Sequence, residues 1–160
     1  MIEWFNIIPI MLRARRPSRI ADMKAVANSF WLKKGYAALT FFGFILMHSA
    51  EEAHSMNEDR RMATLKNHEM IHLRQAQACG DSWLRFYWKY LVFWFKARKA
   101  RRRFKNAGYL LNPFEMEAYA NMHNLHYLDR FPDRKATGWK YYASMSLDER
   151  IQTLTPQRPA

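Results

Sequence analysis

A chain of 160 residues, 49% of them hydrophobic, is long enough to bury one core, and one domain is expected. Its 26 Lys and Arg against 14 Asp and Glu leave a formal charge of +12, which suits anionic partners: nucleic acid, anionic lipid or acidic peptides. A single cysteine, Cys79, excludes an intramolecular disulfide and a cysteine-built zinc site, and points to a reducing compartment.

The N-terminus is largely apolar until it meets Arg13, Arg15, Arg16 and Arg19, with Pro17 among them. Cations that follow the apolar run, with no small-residue cleavage site, argue against a secretory signal. Residues 1 to 20 read as an amphipathic segment, packed on the core or lying on a membrane surface. Next, GYAALTFFGFILM at 35 to 47 reads as one buried strand, and SAEEAHSMNEDRR after it as a loop or a short helix. Neither that run nor YLVFWF at 90 to 95 approaches the roughly 20 apolar residues that span a bilayer.

From Arg61 to Cys79 no Pro or Gly interrupts the chain and Gly80 supplies a stop, so a helix is expected there. Asp81 or Ser82 caps a second helix, from Trp83 to about Arg103. Asn112 ahead of Pro113 starts a third, which runs to about Arg130 and ends before Pro132. The core should extend from about residue 30 to 145, with Trp139, Tyr141 and Tyr142 packing back on it, and residues 150 to 160 should form a disordered tail. The fold class is mainly α (α+β), helices with one short β element.

The first of these helices contains NHEMIHLRQ, residues 67 to 75. On a helix His68 and His72 stand one turn apart on one face, where both imidazoles reach one ion, while Glu69 lies about 100° further round. Two neutral nitrogens, a carboxylate and an open position for water are what zinc hydrolysis needs, with Glu69 as the base that accepts the water's proton. HExxH arises by chance in about one sequence of this composition in a hundred. The competing reading is structural: Leu65, His68, His72, Ala76 and Cys79 share a stripe, and two core histidines need only hydrogen bonds.

A catalytic ion needs a third protein ligand, and NPFEMEAYAN at 112 to 121 offers Glu115 and Glu117. Both flank the apolar stripe of Phe114, Ala118, Met122, Leu125 and Leu128, each about 80° from its centre. Asn112 to Glu115 is also a capping-box spacing, so the residues by themselves leave the choice open.

HEMIH followed later by a Glu-x-x-Ala helix resembles the gluzincin clan of zinc metallopeptidases. NHEMIHLRQ with NPFEMEAYANMHNLHYLDR is more closely similar to a group of small bacterial HExxH proteins that carry HExIHxRQ, an aromatic helix and FExEAYxN; the similarity covers residues from about 36 to 131. The resemblance implies a zincin-like domain, a Zn2+ cofactor and a peptide or protein substrate. It implies His68, His72 and Glu115 as metal ligands, with Glu117 the alternative, and Glu69 as the catalytic base. Many gluzincins follow that alanine with Asp, where this chain has Tyr119. The carboxylate usually found behind a ligating histidine is missing, which leaves Gln75 or His126 to orient the ring.

Between the two metal-bearing helices, SWLRFYWKYLVFWFKARKARRRFK carries more apolar surface than one core face hides. Trp83, Phe86, Tyr87, Tyr90, Leu91 and Trp94 make one stripe, and Trp88, Val92 and Phe95 cover another side. With Lys96, Arg98, Lys99, Arg101, Arg102, Arg103 and Lys105 directly after, three readings stand: burial on most sides, a solvated basic face, or docking on anionic headgroups. Nucleic acid would take the same cations through its phosphates. It ranks below the membrane, because these aromatics stand at helical spacing among aliphatics instead of forming a base-stacking platform.

Two functions follow. One is a zinc-dependent metallopeptidase; the other is a non-enzymatic basic protein that binds a membrane surface or nucleic acid and carries a structural or inactive HExxH site. Either is expected in the cytoplasm, with the inner face of the membrane as a peripheral contact.

Overall fold

The structure, a computed structural model, describes residues 16–17, 23–28, 37–131, 133 and 135–154. The expected amphipathic segment at 1 to 20, apart from Arg16 and Pro17, and the tail beyond Leu154 lie outside the described residues. Within them the protein is mainly helical with one small sheet. Its strands are β1 (Lys24–Ala27), β2 (Leu39–Phe41) and β3 (Phe44–Met47). Its helices are α1 (Ala50–Glu58), α2 (Ala63–Ala78), α3 (Trp83–Ala97), α4 (Ala107–Leu110), α5 (Pro113–Asn121), α6 (Trp139–Ser144) and α7 (Leu147–Leu154). No helix among them is long and apolar enough to cross a membrane.

The sheet order is β1-β3-β2, with β1 parallel and β2 antiparallel to β3. The single strand expected over 35 to 47 is therefore a hairpin. Phe42 and Gly43 have φ of 46° and 88°, the two positive values that a tight primed turn requires, and Phe41 pairs with Phe44 across them. Gly43 adopts its value freely, whereas a phenylalanine there is uphill. Tertiary contacts hold it: the Phe42 N–H donates to the Tyr87 hydroxyl at 2.9 Å, and its ring packs on Trp83 and Tyr87.

The polar stretch after the hairpin is helix α1. Ser49 caps it by accepting from the Glu52 N–H, and Glu51 and Glu52 complement the positive end of its dipole. Its Asn57 side chain exchanges two hydrogen bonds with the backbone of Ala25, at 3.0 and 3.2 Å, and so occupies the groups on β1 that β3 leaves unused. Gly80, with φ of 79°, ends α2 as expected, and Ser82 caps α3.

Three expected boundaries move. The α-helix expected to reach Arg103 passes into a 3-10 segment at Arg98–Arg102, where cations three and four residues apart oppose a regular helix. The helix expected to reach Arg130 stops at Asn121, and a separate 3-10 turn forms at Tyr127–Arg130. What ends it comes from α2: Asn67 Nδ2 donates to the carbonyls of Asn121, Met122 and Asn124 at 3.0 to 3.3 Å, satisfying groups that a continuing helix would have used. Leu125, expected on the buried stripe, is consequently exposed. Finally, residues 150 to 154 of the expected disordered tail belong to α7. Arg150 is buried there, and its guanidinium donates to the carbonyls of Leu111, Ala143 and Met145.

The core forms where the sheet, α1, α2, α3 and α5 meet, around Ile45, Met47, Met56, Leu73, Trp83 and Phe114; Met23 joins it from before residue 30. One face of α2 therefore looks into this core, and another looks at α5.

Candidate metal centre

Asn67, His68, Glu69, His72 and Gln75 on α2 are all buried. The Nε2 atoms of His68 and His72 stand 3.2 Å apart. From α5, Glu115 brings Oε2 to 3.5 Å from His68 Nε2 and Oε1 to 3.6 Å from His72 Nε2. Ligands at about 2.0–2.1 Å from a tetrahedral ion are themselves about 3.3 Å apart; the two imidazole nitrogens have that spacing, each has its own Glu115 oxygen at 3.5 or 3.6 Å, and one donor atom from each of the three residues lies within 4.8 Å of the others. Among the described residues this is the one group of three or more His, Cys, Asp or Glu side chains that converges in this way. Glu115 Oε2 is moreover buried without a hydrogen-bond donor, which a cation would satisfy. The residues present fit a metal; two imidazoles and one carboxylate suit zinc and other late transition ions alike.

The capping-box role open to Glu115 is not what its side chain does. Asn112 caps α5 by accepting from the Phe114 N–H, while Glu115 turns to the histidines and accepts from the Tyr90 hydroxyl at 2.8 Å. Burial alone would keep His72 neutral, but the neighbouring Glu115 carboxylate outweighs it and pushes the imidazole up to about 9. Burial of Glu115 acts to raise its carboxyl, and the two imidazoles overcome this and hold it well below the usual carboxylate range. The metal-free centre thus carries a His72 proton that an incoming ion must displace. At neutral pH zinc uptake is expected to release about one proton per ion, with affinity rising with pH and levelling off only above about 9, as His72 loses its proton. Titration calorimetry in buffers of different ionisation enthalpy measures that proton; uptake without release would mean that His72 is neutral beforehand.

Glu117, the alternative ligand, faces away from this cluster. It is fully buried, and its carboxylate accepts four hydrogen bonds at 2.7 to 3.0 Å: Oε1 from the Tyr127 hydroxyl and the Gly138 N–H, Oε2 from the Trp139 N–H and Gln75 Nε2. Gln75 in turn places Oε1 2.8 Å from His72 Nδ1. The amide oxygen accepts the Nδ1–H, so that once the ring gives up its second proton the lone pair is on Nε2, facing the centre. The two acidic residues of α5 therefore divide the work, one entering the cluster and the other standing two steps behind it. His126 takes no part: its side chain is 90% exposed and pairs with Asp129.

Gly138 must approach this network closely. A Cβ there would lie 2.5 Å from the Tyr127 hydroxyl and 2.7 Å from Glu117 Oε1. Gly138→Ala is expected to destabilise the protein by about 1–3 kcal/mol, read as a lower urea midpoint. An unchanged midpoint would show that the network yields freely.

Glu69 lies outside the three-donor group, and its carboxylate accepts from the Thr40 hydroxyl on β2. Beside it opens a cavity of about 490 Å3, walled by Ala38, Leu65, His68, Glu69, Tyr109 and Tyr119. Tyr119 packs its ring edge-on against His68 at 4.6 Å and places its hydroxyl 3.1 Å from that of Tyr109. Sequence reasoning missed Thr40, Asn67 and Tyr90. Only Thr40 left a trace, as the one hydroxyl-bearing aliphatic side chain in an otherwise apolar run.

No family model, curated protein or solved structure matches the chain. A functional reading therefore stands on the residues and their geometry.

Proposed function

We propose that the protein is a zinc-dependent metallopeptidase with a zincin-like domain, His68, His72 and Glu115 being its ligands and Glu69 its general base. The carrying observation is the convergence of three buried side chains whose donor atoms lie within 4.8 Å of one another, with a buried carboxylate and an open cavity beside them. Bound zinc supplies a Lewis acid that acidifies water and polarises a carbonyl.

The remaining work falls to the chain's own side chains. Gln75, braced by Glu117, keeps His72 in one tautomer and one orientation, and the Tyr90 hydroxyl aims the Glu115 carboxylate. Glu69 takes the proton of the attacking water and returns it to the leaving amine. Thr40 pins one oxygen of that carboxylate, which fixes where the other points. Among the described residues β2 is an edge of the sheet, so its outer backbone groups offer an extended peptide a strand to pair with while the cavity takes a side chain. A cytoplasmic peptide or protein segment is the corresponding substrate.

The test is to load tag-free protein with zinc, incubate it with a complex mixture of unmodified peptides and identify new termini by mass spectrometry, with His72→Ala in parallel. Cleavage by the parent alone supports the reading. No cleavage, or equal cleavage by both, sinks it and favours a binding protein whose HExxH site is structural or inactive.

A further inference from the structure

Helix α3 has two apolar faces, and among the described residues only one packs inside the protein. Trp83 and Phe86 are buried, and the Phe86 ring stands 6.3 Å from that of His72, while Tyr90 reaches Glu115. On the other side Leu84, Trp88, Leu91 and Phe95 are between 48% and 75% exposed. Leu91, expected on the buried stripe, belongs to this outer one, and Val92, expected outside, is half-buried. At 100° and 1.5 Å per residue the four exposed side chains fall within about 60° of arc and along about 16 Å, a continuous ridge. Ridges of this kind on a small protein mark a contact surface.

Charge selects the partner. Every charged residue from Ser82 to Lys105 is Lys or Arg. The ridge runs directly into a shallow hollow of about 520 Å3 lined by Phe95, Arg98, Lys99, Arg101 and Arg102. A second copy laid on the ridge would set these cations against themselves. Nucleic acid would engage the cations but give Leu84 and Leu91 no base face to stack on. An anionic bilayer satisfies both parts, because leucine and phenylalanine reach the acyl boundary, tryptophan sits at headgroup level and the cations meet lipid phosphates.

We propose that the outer face of α3, with the basic 3-10 turn at Arg98–Arg102, docks the protein peripherally on an anionic lipid surface. The metal centre then lies on the far side of the same helix, about one helix diameter, or roughly 10 Å, from the lipid. This docking is independent of catalysis and survives the failure of the peptidase reading.

Vesicle flotation of the full chain tests it, using phosphatidylcholine alone and phosphatidylcholine with about 30% phosphatidylglycerol. Binding to the anionic vesicles is expected to exceed binding to the neutral ones by about tenfold at low salt. The double variant Trp88→Ser, Phe95→Ser should lose about tenfold of it, and Arg101→Gln with Arg102→Gln should weaken it and flatten its salt dependence. All four positions are solvent-facing, so unchanged unfolding midpoints and metal content certify the variants as folded. Equal binding to both vesicle types, or full binding by the ridge variant, overturns the proposal. So does a lipid-free dimer abolished by the ridge variant, or an oligonucleotide that binds more tightly than the vesicles do.

Discussion

Glu69→Gln is expected to leave bound zinc unchanged and to slow peptide hydrolysis by about 100- to 10,000-fold, the share a positioned general base contributes. The zinc term follows from position, since Glu69 lies outside the His68, His72 and Glu115 group. The rate term follows from chemistry. Glutamine keeps the size of the side chain and an oxygen that can still accept from Thr40, but an amide takes no proton at neutral pH. Plasma mass spectrometry measures the metal, and turnover of a cleaved peptide measures the rate. Activity within about tenfold of the parent would place the base elsewhere or remove base catalysis from the scheme.

Glu115→Ala and Glu117→Ala should fail in opposite ways. Removing Glu115 takes away one of the three proposed ligands, and zinc affinity should fall by about 100-fold or more with the fold intact. Removing Glu117 strands four donors: the buried Gln75 Nε2, Tyr127 hydroxyl and Trp139 N–H, and the half-buried Gly138 N–H. At about 1–3 kcal/mol for each orphaned group, with partial relaxation, a loss of about 3–5 kcal/mol is expected. That is a large part of the 5–15 kcal/mol that typically holds a domain folded. Urea unfolding with a chelator present isolates this effect, because zinc itself stabilises whatever binds it. A stable Glu117→Ala that has lost zinc, beside a Glu115→Ala that keeps it, would exchange the two assignments.

The sequence alone determined what is local. The uninterrupted stretch from Arg61 to Cys79 and its stop at Gly80 specify a helix, and the spacing of His68 and His72 then puts both rings on one face, because a helix is built from contacts within four residues. Asp81 or Ser82, of which Ser82 is the cap, and Asn112 with Pro113 likewise announce the starts of α3 and α5 through caps that involve only their neighbours. A mainly helical chain with a short β element was legible for the same reason.

Tertiary structure decided the rest. Glu115 and Glu117 sit on opposite flanks of one stripe, and periodicity is symmetric about that stripe; which flank meets His68 and His72 and which meets Gln75, Tyr127 and Gly138 depends on how α5 is docked. The end of α5 is set by Asn67, which lies 54 to 57 residues away from the carbonyls it caps. Phe42 turns the hairpin because Tyr87 and Trp83 accept its ring and N–H, in a run with no Asn-Gly or Asp-Gly to signal a turn. On α3 two apolar stripes competed, and only packing against α5 and the sheet left Leu84, Trp88, Leu91 and Phe95 in solvent. In each case the deciding contact joins segments far apart in the chain, and the energy that selects it is burial and hydrogen bonding between elements, which no local pattern encodes.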